Sequence, residues 1–316
     1  EYAKIYLTIV SFSGPFVLIS NCYSNIIRAE GQSTKAMMGQ VIGNLLNVVL
    51  DPIMILAFKW DIAGAAIATV IGNIAGAMYY IIYFLKGEST LSISIKDFTL
   101  KEGTCFKVLS IGIPASLGSL LMSISQIMVN GMMTSYGDMA LAGIGVAMKV
   151  TMITSMICIG FAQGVQPLLG YCVGANLQDR FKKVMKFSLI FSFALSVTMT
   201  GLCYIFTESI VSVFLSDLEA LSYGIDFSRI LLSTSFLFGI FYVFVNALQA
   251  IGAATPALII NISRQGLIYI PALFIMESMI GINGLLWAQP VADILSTILV
   301  VVLYRHTILK MNKDNY

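Results

Sequence analysis

Residues 36–58 read AMMGQVIGNLLNVVLDPIMILAF, an apolar run between Lys35 and Lys59 that carries one carboxylate, Asp51, and no lysine or arginine. As a helix rising about 1.5 Å per residue, such a run is long enough to cross the roughly 30 Å hydrocarbon core of a bilayer. Gln40, Asn44, Asn47 and Asp51 recur at i, i+4, i+7 and i+11, so they form one polar stripe on one helix face. A carboxylate at the centre of a membrane helix costs about 2.5–3.5 kcal/mol on insertion scales. Lipid does not compensate that cost, so a neighbouring helix or a wet cavity must face the stripe. A seam of helix–helix hydrogen bonds needs amides but no acid, which favours a functional reading of Asp51. Pro52 has no N–H to donate and frees a carbonyl one turn back, which predicts a kink there.

The rest of the chain repeats this pattern. Nine apolar runs near spanning length occur, at 6–27, 36–58, 62–85, 108–135, 139–171, 187–206, 230–250, 257–276 and 282–304. Of 316 residues, 58% are hydrophobic and 11% charged, and mean hydropathy is +0.89. A soluble domain carries about 25% charged residues and needs a polar shell. The fold class is therefore all-α, a polytopic membrane protein. The run 139–171 is too long for one straight crossing, and Gly160, Gly164, Pro167 and Gly170 predict a break or an interfacial end. The cysteines Cys22, Cys105, Cys158, Cys172 and Cys203 are scattered without metal-ligand spacing and read as small apolar residues. No signal peptide is expected.

Charge placement gives a sidedness. With nine spans, alternate loops and the C-terminal tail place 13 Lys and Arg on one side and 3 on the other, leaving Lys149 and Arg264 inside spans. By the positive-inside rule, the C-terminus is predicted to be cytoplasmic and residue 1 external. Net charge is only +2, which gives no footprint for nucleic acid. No phosphate-cradling loop, nucleophile elbow or H-E-x-x-H occurs, which argues against an ATP-driven pump, a protease or any other enzyme, and no cofactor is expected.

A weak internal repeat runs through the chain. Asn25, Ala29, Gly31, Thr34 and Ala36 recur as Asn246, Ala250, Gly252, Thr255 and Ala257, at an offset of 221. Ile62, Gly64 and Ala68 recur as Ile282, Gly284 and Ala288, at an offset of 220. Both copies start on the same side, so the halves are parallel, as in transporters with an axis along the membrane normal. The second copy has three spans before its matching trio and the first has none, so three upstream spans and a twelve-helix parent are expected. The expected organisation is a partial N-terminal lobe over 1–86, a cytoplasmic linker over 87–106 and a C-terminal lobe over 107–316.

Other polar residues inside the spans complete the candidate set. Thr69 and Asn73 accompany the close-contact spacing Gly72-x-x-x-Gly76. Gln126 and Asn130 form an i, i+4 pair, Asn246 and Gln249 lie three apart, and Asn261, Arg264 and Gln265 make a further patch. Asp293 is the second in-span acid, and either Lys149 or Arg264 is a candidate to pair with it. Met148, Met152 and Met156 run at helical spacing and read first as lipid-facing.

These residues resemble the multidrug and toxin extrusion (MATE) family. The segment 43-GNLLNVVLDPIMI-55 followed by 64-GAAIAT-69 is similar to the family's N-x-x-L-D-P … G-A-A-x-A-T pattern. The stretch 112-GIPASL-117 resembles the start of its seventh helix. The stretch 163-QGVQPLLGYCVGANLQDR-180 resembles its Q-G-x-Q-P-x-x-G-Y-N-x-G-A signature, with Cys172 where Asn is common. The run 264-RQGLIYIP-271 resembles the bacterial MepA-type members. The resemblance implies a two-lobe bundle of twelve helices, nine of them in this chain.

It also implies a monomeric antiporter in the bacterial plasma membrane that exports cationic or amphipathic compounds in exchange for H⁺ or Na⁺. Its ion-coupling residues fall on Asp51, Asn47 and Thr69, with a further acid from the first helix of the family. A branch with acids in the seventh and tenth helices is not matched, since the nearest positions are Met122 and Asn246. A substrate cavity is expected to draw on Gln40, Asn44, Asn73, Gln126, Asn130, Lys149, Asn246, Asn261 and Asp293. The alternatives are a lipid-linked oligosaccharide flippase or polysaccharide exporter of the same superfamily, and a channel or non-transporting membrane receptor.

Overall fold

The computed structural model describes residues 2–87, 89 and 104–314, and among these every regular element is helical. The chain divides into two compact units, residues 1–100 and 101–316. The expected linker, 87–106, falls largely outside the described residues.

Unit 1 contains α1 (Tyr2–Ser11), α2 (Gly14–Ala29), α3 (Ser33–Pro52) and α4 (Asp61–Leu85). The axes of α1 and α2 differ by 51° across their break. Pro15 sits in the first turn of α2, where a missing N–H has no helical partner to lose. The irregularity expected at Pro52 takes the form of a π-helical turn, Ile53–Ala57, in which the Phe58 N–H donates to the Ile53 carbonyl at 3.1 Å, five residues back. α3 and α4 meet through glycines. A Cβ on Gly43 would lie 2.7 Å from the Gly72 carbonyl oxygen, and one on Gly72 would lie 2.6 Å from that of Gly43. Near the other end of the pair, the Tyr80 ring lies against Gly39, and its hydroxyl donates to the Ala36 carbonyl. Ile27, Tyr83 and Phe84 complete that buried cluster.

Unit 2 contains α5 (Thr104–Thr134), α6 (Asp138–Gly174), α7 (Gln178–Ile205), α8 (Thr207–Ser212), α9 (Leu218–Leu232), α10 (Phe238–Ala250), α11 (Ala254–Ile262), α12 (Tyr269–Ile280) and α13 (Ile282–Asp314). A 3₁₀ turn, Ser235–Leu237, leads into α10. A π-helical turn, Ser263–Leu267, lies between α11 and α12, where the Ile268 N–H donates to the Ser263 carbonyl at 2.8 Å. One core gathers Leu169, Phe241, Leu248, Ile260 and Val300. A second gathers Val129, Ile144, Phe227, Leu273 and Leu286. The break expected within 139–171 does not occur, since α6 is a single helix of 37 residues with Pro167 inside it. Proline removes one hydrogen bond, but a fuller break would expose several more backbone groups to hydrocarbon.

Seven helical stretches of the described residues are long and apolar enough to span a membrane, and the bent pair α1–α2 makes an eighth. The remaining expected span, 108–135, falls on α5, a helix of 31 residues. The boundaries also shift. The spans expected from 187 and 230 belong to stretches that begin at 178 and 218. Large apolar side chains point outward, among them Leu45, Val48, Phe187 and Ile205. In water such a surface would drive aggregation, whereas lipid matches it. The chain is a multi-pass α-helical membrane protein.

Candidate functional site

Asp51 lies two residues before the π-helical turn of unit 1, half-buried, at the end of the polar stripe of α3. The glycine contact between α3 and α4 brings Thr69 alongside it. The Asn47 amide bridges the two: Nδ2 donates to Asp51 Oδ1 at 3.3 Å and to Thr69 Oγ1 at 3.4 Å. The Thr69 hydroxyl itself donates to the Ala65 carbonyl at 2.9 Å, so its lone pairs are turned to accept. Among the described residues, no lysine or arginine pairs with Asp51. The three residues assigned to ion coupling therefore form one cluster on two helices, with an acid that has no fixed counter-charge among the described residues.

Next to this cluster, α2, α3 and α4 enclose an open cavity of about 290 Å³. Gln40, Asn44 and Asn73 line it, together with Ser20 and Asn21 of α2. Asn73 donates to Ser13 Oγ at 3.1 Å. The Ser20 hydroxyl is buried and has no hydrogen-bond partner among the described residues. Sequence reasoning missed Ser13, Ser20 and Asn21, although Ser20 with Ser24 and Asn21 with Asn25 stand at i, i+4 on α2.

The candidates of unit 2 do not converge in the same way. On α5, Gln126 and Asn130 are exposed; the Gln126 amide lies 3.4 Å from Asn130 Oδ1 and 2.9 Å from the Met148 sulfur. Lys149 is exposed, with its ammonium 5.2 Å from the centroid of the Phe214 ring. Asn261 is half-buried, its Cβ close to where a Cβ on Gly118 would lie. Two further candidates are buried and already bonded. Asn246 is buried, and its amide donates to the Tyr242 carbonyl of its own helix, so it is not a free cavity group. Asp293 is 2% exposed and already satisfied: Oδ1 accepts from Arg264 Nε at 2.9 Å and from Gln289 at 3.0 Å, and Oδ2 from Thr234 at 3.5 Å. Of the two proposed cationic partners, the structure selects Arg264 and not Lys149.

Comparison with known proteins draws on the whole chain. The MatE family pattern matches residues 114–275. The multidrug export protein MepA of Staphylococcus aureus (strain NCTC 8325 / PS 47) is 32% identical over 303 residues, covering 95% of this chain and 67% of that protein. The chain belongs to the MATE family. A second MATE relative, the MepA protein of Staphylococcus haemolyticus (strain JCSC1435), is 30% identical over 297 residues, covering 93% of this chain and 64% of its own length. This MATE chain also shares its fold with solved structures at 21% identity. One is an outward-facing multidrug resistance MATE family transporter, with a TM-score of 0.89 over 98% of this chain and 70% of that one. Another, from Pyrococcus furiosus, is described as having a binding pocket of reversed polarity, and matches with the same TM-score and coverage. MATE proteins are transporters and not enzymes.

Proposed function

We propose that this MATE protein is a secondary active antiporter that exports cationic or amphipathic drugs in exchange for H⁺ or Na⁺, with Asp51 as the coupling carboxylate. The observation that carries the reading is the Asn47–Asp51–Thr69 cluster, an acid in a spanning helix with no cationic partner among the described residues. The likeness to multidrug export proteins supplies the substrate class.

The chemistry follows from the donor set. The Asn47 NH₂ group holds the Asp51 and Thr69 oxygens together. A half-turn of that amide presents Oδ1 instead, and three oxygens then converge on one point. A sodium ion takes such an all-oxygen set, while a proton needs only the carboxylate. Either ion neutralises Asp51 and weakens its attraction for a drug cation held in the adjoining cavity at Gln40, Asn44 and Asn73. Loss of the ion restores the charge and the attraction. Exchange results because drug and ion compete for one carboxylate and the empty carrier does not reorient. The protein works as a monomer in the plasma membrane, C-terminus in the cytoplasm, without nucleic acid or cofactor.

The test is reconstitution. Purified protein in proteoliposomes is loaded with a fluorescent organic cation, and an inward H⁺ or Na⁺ gradient is imposed. Saturable drug efflux that collapses with the gradient is expected. Flux that ignores both gradients, or movement of a lipid-linked sugar instead, overturns the reading.

A further inference from the structure

In the internal repeat, Arg264 of unit 2 is the counterpart of Gly43, one of the residues lining the cavity of unit 1. The guanidinium is enclosed by the rings of Phe238, Phe241 and Tyr242, with centroids at 5.0, 4.7 and 5.5 Å from its central carbon. Asp293 accepts from Nε at 2.9 Å, and the Tyr242 hydroxyl lies 3.0 Å from Nη1. The internal repeat supplies the counterpart of each group. At the offset of 221, Phe238, Phe241, Tyr242 and Arg264 correspond to Val17, Ser20, Asn21 and Gly43. At the offset of 220, Asp293 corresponds to Asn73. All five counterparts line the cavity of unit 1. Even a supporting hydrogen bond repeats: Thr234 bonds to Asp293 in unit 2, and Ser13 to Asn73 in unit 1, again 221 and 220 residues apart.

The difference between the copies is therefore specific. Unit 2 has a cation, its carboxylate and three rings. Unit 1 has an amide in place of the carboxylate, smaller side chains in place of the rings, and at Gly43 a glycine against which the backbone of α4 packs. The charges change as a pair, Arg with Asp against Gly with Asn, so neither copy is left with an unmatched charge at this place. A core-filling role alone would be served by apolar residues, since replacing a buried ion pair with packed apolar groups is often neutral or stabilising.

We infer that the Arg264 place in unit 2 is a binding site for a planar guanidinium or amidinium cation, occupied by the protein's own side chain. Arg264 is a tethered occupant. It closes unit 2 to free cations at this place. The inference rests on the repeat and on the two sites' geometry, and does not depend on whether Asp51 couples transport.

The test is chemical rescue, read as thermal stability of purified protein without any gradient. Benzamidine is the cationic probe and benzamide its neutral counterpart. Arg264→Ala opens the site and leaves the Asp293 carboxylate inside it, which lowers the melting temperature. Benzamidine is expected to raise it again in a dose-dependent way, by several degrees beyond any rise in the wild type, and benzamide is not. The double variant Arg264→Ala/Asp293→Asn copies the neutral pair of unit 1. It is expected to fold and to lose the excess response. Recovery of Arg264→Ala only when benzamidine is present throughout purification also supports the inference. An Arg264→Ala response equal to that of the wild type or of the double variant overturns it, as does an equal response to benzamide. Failure of both variants to fold, with or without benzamidine, makes the pair a structural staple and overturns it as well. Because no transport is measured, failure here leaves the proposed antiport untouched, and failure of antiport leaves this site untouched.

Discussion

Gly43 and Gly72 approach so closely that a Cβ on Gly72 would lie 2.6 Å from the Gly43 carbonyl oxygen. This contact fixes the separation of α3 and α4, and hence the meeting of Asn47 with Thr69. Gly72→Val is expected to push the helices apart, at a cost of about 1–3 kcal/mol typical of overpacking. Thermal melting in detergent checks this. A melting temperature equal to the wild type's would show that the contact yields.

Thr69 contributes through its hydroxyl, 3.4 Å from Asn47 Nδ2. Thr69→Ser keeps that oxygen and Thr69→Val removes it at nearly constant volume. Thr69→Val is expected to raise the ion concentration for half-maximal drug efflux by about tenfold, equivalent to about 1.4 kcal/mol. Thr69→Ser is expected to stay near the wild type. Efflux from proteoliposomes over a series of ion gradients separates the two, and equal behaviour of both variants would leave Thr69 without a role at the ion.

The spans and the polar face of α3 were legible because period and hydropathy are local properties of the chain. Gln40, Asn44, Asn47 and Asp51 lie on one helix, so spacing alone groups them. What spacing does not supply is the partner across a helix pair. It left Asp293 with two candidate cations, and the choice of Arg264 depends on how α11, its π-helical turn and α13 pack. Gln289, four residues before Asp293 on the same helix, was open to the same argument that found the stripe, and went unused. Ser20 and Asn21 carry the same signal on α2, through Ser24 and Asn25 four residues on, and the repeat relates them to Phe241 and Tyr242. Pro167 misled in the other direction, since proline inside a long apolar run does not by itself end a membrane helix.

The proposed sidedness makes a labelling prediction. Asp61, at the start of α4, and Lys182, in the basic first turns of α7, are both exposed. In a cysteine-free background, Asp61→Cys is expected to react with an impermeant maleimide on intact cells, and Lys182→Cys only after the cells are opened. The reverse pattern would invert the topology.

The account turns on an acid whose charge is set by the transported ion. Asp51→Asn keeps the size of the side chain and its place beside Asn47, but holds no charge to exchange. The decisive measurement is gradient-driven export of a fluorescent organic cation by wild-type and Asp51→Asn protein, reconstituted at matched amounts and shown to be equally folded. Loss of gradient-driven export in the variant is the predicted result. Export at the wild-type rate, with the same dependence on the gradient, would contradict the account and leave Asp51 a structural residue.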